Sequence, residues 1–208
     1  MNAPEMKSSV AEIPTIIGTA MGAGFYAGRI RIDGQVFALV VAPKAEGRHK
    51  DTVWNGSDNM VDGAQSYYDG LVNTKAMLEA GSDLAKWACD LRIGGNDDWY
   101  LPAQDELEII YRNLKPTKEE NTQWARSGIN LSAIEPTRPY TPANPAQTLA
   151  EAFQEGGSEA FDDMAYWSST QHASYADYAW YQDFDYGCQH DYLKSIKLRG
   201  VAVRRLPI

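Results

Sequence analysis

Cys188-x-His190 has the residue types of a nucleophile and its base. Residues two apart on a strand share a face, so thiol and imidazole can meet there. A reactive thiolate, however, needs an electropositive setting, and the neighbours here are Asp183, Asp185 and Asp191. Asp183-x-Asp185-x-Gly187 begins like a calcium loop, but its glycine stands one place late and Lys194 occupies the position of the bidentate Glu. Cys89 and Cys188, without C-x-x-C spacing, fit neither zinc nor a disulfide framework. Asp105, Glu106 and Glu108 fall in the first half of an expected helix, where the dipole favours carboxylates, and read as structural. The residues therefore assign no catalytic group, no metal and no cofactor.

Recognition is the chemistry this region does offer. From Tyr166 to Tyr192 the chain holds nine aromatics, four aspartates and two of its three histidines, with no Lys, Arg, Leu, Ile, Val or Met. Tyrosine supplies a large, stiff contact area with a polar tip, and Tyr mixed with Ser, Asp, His and Gly is characteristic of binding loops. Strand alternation from Tyr178 to Phe184 sets Trp180, Gln182 and Phe184 on one side and Ala179, Tyr181 and Asp183 on the other, with Trp180 and Phe184 expected in the core. Core packing leaves the others unexplained. The candidate ligand-binding set is Tyr175, Asp177, Tyr178, Tyr181, Asp183, Asp185, Tyr186, Cys188, His190, Asp191 and Tyr192.

Several elements must hold that set in place. Residues 1–14 lack periodicity and read as a flexible or partner-docked arm, leaving 15–208 as one domain. Tyr26 to Ile32 and Gln35 to Val41 flank Asp33-Gly34, the strongest local hairpin signal. Pro43 to Gly70 reads as a long loop anchored by Trp54, Tyr67 and Tyr68. A helical pair follows: Thr74 to Ala80 stopped by Gly81, then Ser82 as N-cap to the stripe Leu84, Trp87, Ala88 and Leu91. Pro102 is placed to open the next helix, with Leu107, Ile110, Tyr111 and Leu114 on one face. Residues 115–145, with five of the ten prolines, read as irregular covering chain anchored by Trp124, Ile129, Leu131 and Ile134. Asn144-Pro145-Ala146-Gln147 has the order of a capping box before a short helix carrying Leu149 and Phe153. Trp167 to Thr170, Tyr178 to Phe184 and Gly200 to Leu206 read as strands, with a loop from Asp185 to Lys197. The fold class is α+β, with the first and last strands adjacent.

The totals exclude some partners. With 19 basic and 28 acidic residues and a formal charge of −9, a broad nucleic-acid face is not expected. The basic residues Lys194, Lys197, Arg199, Arg204 and Arg205 read as ordinary charge at a strand end. No apolar run is long enough to insert in a membrane, and no secretory signal opens the chain.

Four ordered motifs carry a family resemblance. Gly94-Gly95-x-Asp97-Asp98-Trp99-x-Leu101-Pro102-x-x-x-Glu106-Leu107, Tyr166-Trp167-Ser168-Ser169-Thr170, Ala179-Trp180-x-x-x-Phe184-x-x-Gly187 and Arg199-x-Val201-x-Val203-Arg204 resemble the Lcl C-terminal domain family, from about Tyr26 onward. The resemblance implies a C-type-lectin-like domain with paired N- and C-terminal strands, two main helices and long covering loops. It also implies a ligand-recognition module of a phage tail, or a variable protein of a diversity-generating retroelement. On that resemblance, the Tyr, Asp, His and Cys of the candidate set are all reachable from asparagine codons by changes at adenine. The expected partners are a host-surface protein or glycan and other tail or surface-assembly subunits, with a homotrimer suiting avidity. The expected location is a virion tail, made in a host cytoplasm; the alternative is a bacterial cytoplasm or cell surface. Glu135-Pro136-Thr137 and Trp54-Asn55-Gly56 fall short of the lectin calcium motifs. Two other readings on this fold are a formylglycine-generating-type enzyme, which would want a cysteine pair, and a purely structural tail protein.

Overall fold

The computed structural model describes residues 13–208, so the expected arm falls outside it except for Ile13 and Pro14. A short strand β1 (Ala20–Met21) leads into the hairpin of β2 (Gly24–Ile32) and β3 (Gln35–Val41). Ile32 sits opposite Gln35, and Asp33 and Gly34 take φ of 48° and 86°, as a two-residue type I′ turn requires.

The segment read as a loop after Pro43 contains two further elements, α1 (Lys44–Gly47) and β4 (Arg48–Thr52). The strand was invisible because its inward residue is a cation. Arg48 places its guanidinium 4.2 Å from the Phe161 ring centroid and donates to the Ala42 carbonyl at 3.0 Å, so no apolar alternation marks it.

Helices α2 (Gly70–Glu79) and α3 (Asp83–Asp90) are capped by the side chains of Asp69 and Ser82, which accept from the Val72 and Ala85 amides at 3.1 and 3.3 Å. Helix α4 (Gln104–Leu114) starts two residues after Pro102. Its cap position is Ala103, which has no side-chain acceptor. Glu106 compensates by reaching back to accept from the Ala103 amide at 2.8 Å. Among the described residues three helices have eight or more residues, as the local signals indicate, where the family resemblance implies two main ones. The capping-box sequence at Asn144 starts no α-helix. Gln147 instead donates to the Pro116 carbonyl at 2.7 Å, and only a 3₁₀ turn forms at Glu151–Phe153, burying Phe153 and leaving Leu149 94% exposed.

The later strands are β5 (Ala165–Gln171), β6 (Tyr178–Asp183), β7 (Gln189–Leu193), β8 (Leu198–Val201) and β9 (Val203–Pro207). The expected strand from Gly200 to Leu206 is divided at Ala202, which donates to the Gly47 carbonyl and accepts from the Ala42 amide. The break sends β8 and β9 into different sheets, ordered β1-β2-β3-β9 and β4-β8-β5-β6-β7. The last strand pairs with β3, from Phe37 opposite Pro207 to Val41 opposite Val203, so the second strand of the hairpin makes the terminal contact. The region expected to be a loop from Asp185 to Lys197 includes β7, an edge strand paired antiparallel with β6. The fold is mixed α+β and mostly sheet.

One core packs α4 between the sheets through Leu107, Ile110 and Tyr111 against Ile30, Leu39, Phe184 and Val203. A second joins α2 and α3 to Trp54, Trp167 and Ala179. The covering segment is held by amides together with the buried Ala133 and Tyr140. Asn121 accepts from the Tyr111 hydroxyl at 2.7 Å and Asn130 donates to Glu108 at 2.8 Å, while Trp124, Ile129 and Leu131 are exposed. The C-terminal cations are likewise not surface charge, Lys197 excepted. Lys194 is buried, and Arg199, Arg204 and Arg205 pair with Asp162, Asp98 and Asp69 at 3.0, 2.8 and 2.8 Å. Among the described residues no helix is long and apolar enough to cross a membrane.

Candidate functional site

The β6–β7 hairpin organises the candidate residues. Tyr181 faces His190 across it, Ala179 faces Tyr192 and Trp180 faces Asp191. All eleven candidates keep solvent access, whereas the interleaved Ala179, Gln182, Phe184, Gly187 and Gln189 are buried. Period-two geometry accounts for part of this, and the turn for the rest. The Asp183 carboxylate accepts from the Asp185 and Tyr186 amides at 2.8 and 3.3 Å. Gly187 takes φ 76°, and a Cβ there would meet the Tyr111 hydroxyl at 2.2 Å. That turn projects Tyr186 outward, 56% exposed, with its carbonyl held by the Thr122 amide and hydroxyl at 2.8 and 3.0 Å.

The rings form two groups, and strand parity puts them on opposite faces of β6. On one face His172 lies between Tyr175 and Trp180, with centroids at 4.6 and 5.7 Å and planes within 24° and 21° of parallel. Tyr178 and Tyr67 continue that group, at 5.9 Å from Tyr175 and 6.5 Å from Trp180 respectively. His172 also accepts the Ser174 and Tyr175 amides on Nδ1 at 3.1 and 3.0 Å, which holds Tyr175 in place. On the other face His190 lies between Trp124 and Tyr181, at 5.8 and 6.3 Å, and Tyr192 meets Tyr181 edge-on at 6.3 Å. Asp177 and Asp185 sit at the hairpin ends. The expected surface is therefore two aromatic groups flanking one edge.

Two expectations from strand alternation are overturned. Trp180 is only partly buried, because the face it shares with Tyr178 opens towards His172 and Tyr67 rather than into a core. Tyr181 packs against the second core through its ring, and the Asp183 carboxylate ties the turn, so neither is a free surface group. Three participants were missed: Trp124, Tyr67 and His172. By sequence Trp124 belongs to the irregular chain expected to wrap the core. Its setting, Asn-Thr-Gln-Trp-Ala-Arg, lacks any apolar neighbour beyond Ala and was the signal of exposure.

The electrostatics do not activate a nucleophile. Burial pushes the Cys188 thiol up, and the Asp183 charge adds to it. The Cys89 thiol is likewise raised, first by burial and then by Asp90. The Tyr181 phenol is pushed up to about 12 by burial, then by Cys188 and Asp183. Both cysteines are unpaired, and among the described residues no group of three His, Cys, Asp or Glu could hold a metal ion.

The residues of the other three motifs lie in the frame. Trp99, Leu101, Glu106, Leu107, Tyr166, Trp167, Val201 and Val203 are buried, and Asp98 pairs with Arg204. Fold and site thus define a mixed α+β domain with a buried signature frame and a solvent-facing aromatic hairpin. The chain belongs to the Lcl C-terminal domain family, whose model matches residues 46–204. No curated protein matches the chain. The matched span begins after the β2–β3 hairpin, short of the start expected near Tyr26.

Proposed function

We propose that this protein is a non-enzymatic ligand-recognition module of C-type-lectin-like type, serving a phage tail in host attachment or acting as a retroelement-diversified variable protein. The observation that carries this reading is the division of labour around the β6–β7 hairpin, where the family-motif residues Ala179, Phe184 and Gly187 are buried, Trp180 is partly so, and each of the eleven candidate positions reaches solvent. Exposed aromatics grouped in this way mark binding surfaces. Pairing of the N-terminal hairpin with β9 supports the lectin-like reading. The raised Cys188 thiol speaks against an enzyme that uses it as nucleophile.

The test is binding of Tyr186→Ala and Tyr192→Ala to a panel of bacterial cells. Truncating a central Tyr anchor costs an interface about 2 kcal/mol, or roughly thirtyfold in affinity. Variants that fold and bind like the parent would refute the assignment. Tail assembly that fails in these variants would favour a structural role. For the diversification part, the decisive observation is a reverse transcriptase gene beside a near-copy of the segment encoding the hairpin.

A further inference from the structure

Resting on the recognition reading, we propose that the partner is a protein whose contact surface carries Lys and Arg side chains. The first ground is a contrast within the molecule. Several rings of the frame carry cations, Arg48 over Phe161, Arg112 over Tyr140, Lys194 over Trp54, Arg204 over Trp99, and Arg205 over Phe37 and Tyr100, and beside the hairpin Arg126 lies over Tyr67. Among the described residues, the rings of Trp124, Tyr175, Tyr186 and Tyr192 carry none, and these are 60, 59, 56 and 47% exposed.

The carboxylates repeat the contrast. Five acids of the frame, Asp69, Asp98, Asp105, Glu108 and Asp162, pair with Lys or Arg, whereas exposed acids such as Glu46 and Glu79 do not among the described residues. Asp183, Asp185 and Asp191 have no such partner among the described residues; Asp191 meets only His190, at 3.2 Å. The nearby cations are committed. Arg126 binds Asp105 and Gln104 at 2.7 and 2.9 Å, and Lys194, whose charge Asp177 faces, donates inward to Asn59 and Gln171 at 2.9 and 2.6 Å. Uncompensated acids beside free ring faces attract ammonium and guanidinium groups.

The second ground is size. The two aromatic groups lie on opposite faces of β6, and β7 is the sheet edge. A partner touching both must straddle that edge, which a protein surface does and a short sugar does not.

The probe is a synthetic peptide alternating Arg and Ser, with its Glu-for-Arg counterpart as control, titrated against the full chain. The Arg peptide should bind more tightly. Asp185→Asn with Asp191→Asn should lose about tenfold at low salt, with the loss shrinking as salt rises. Tyr186→Ala with Tyr192→Ala should weaken binding too, whereas Glu46→Gln with Glu79→Gln, the same charge change away from the hairpin, should bind within about twofold of the parent. Equal binding of the two peptides, or an equal loss in the Glu46/Glu79 control, overturns the proposal. In the cell assay, loss with the tyrosine pair but not with the aspartate pair leaves recognition standing and removes the cationic partner. Cell binding abolished by periodate oxidation of glycans and resistant to surface proteolysis does the same. If neither pair affects cell binding, the recognition reading itself fails.

Discussion

Trp180 and Tyr186 bracket what a side chain's place in a strand determines. Both are large aromatics in the same hairpin, yet one is partly covered by His172 and Tyr67 and the other stands on a turn. Tyr186→Ala and Tyr192→Ala should therefore change folding stability by less than about 0.5 kcal/mol, measured by urea melts. Tyr181→Ala should cost about 1 to 3 kcal/mol, because its ring packs on the Trp54 and Trp167 cluster. Trp180→Ala should fall short of the roughly 3 to 5 kcal/mol of a fully buried tryptophan, the loss expected for Trp167→Ala. A Trp180→Ala loss equal to that of Trp167→Ala would contradict this placement. The thiols are testable at the same scale. Titration of denatured, unreduced protein should find both Cys89 and Cys188 free, and alkylation of the native protein at neutral pH should be slow, since burial raises both thiols.

Among the elements, α4 carries the most concentrated charge in the interior. Glu106 is fully buried and accepts from the Gly70 and Ala103 amides and the Tyr100 hydroxyl, at 3.0, 2.8 and 2.6 Å. Burial lifts its carboxyl to about 7 against those hydrogen bonds. A raised carboxyl means that the folded state holds the proton more tightly than the unfolded one. Its contribution is full below the unfolded value of 4.5 and is lost as pH rises through about 7. Lys194 acts in a different window and with the opposite slope. Burial lowers it to about 8, so the folded state holds fewer protons than the unfolded one between there and 10.5. Its contribution is full above 10.5 and is lost as pH falls through about 8. The Glu106 contribution should lower the urea midpoint between pH 4.5 and about 7, and the Lys194 contribution should raise it between about 8 and 10.5. Glu106→Gln should flatten the first limb and Lys194→Met the second; unchanged limbs would contradict the buried assignments.

For the whole molecule, two sheets share one continuous C-terminal segment broken at Ala202, so β8 and β9 couple the family frame to the N-terminal hairpin. Removing β9 should unfold the domain rather than fray it, because β3 would lose one of its two neighbours and Asp69 and Asp98 their arginines. Circular dichroism of a chain ending before Val203 checks this. Stability should not depend on calcium. A melting temperature that falls by several degrees in chelator and recovers on adding calcium would show a native-state ion site.

The sequence by itself determined the elements whose signals are local. Asp33-Gly34 permits few backbones other than a tight hairpin, Ser82 caps the helix that follows it, and period-two alternation placed Phe184 and Gln182 on a face apart from Tyr181 and Asp183. The tertiary structure alone decided what depends on a distant partner. Strand β4 escapes notice because Arg48, which packs on the Phe161 ring and donates to Ala42, stands where an apolar residue would mark the pattern, and β7 because its pairing residues are mostly the polar set that faces solvent. Likewise, nothing local to Trp124 or His172 says that one will stack on His190 and the other on Trp180. Such contacts arise where long-range pairing brings separate segments together, and residue type and spacing along one chain do not encode which segments those will be.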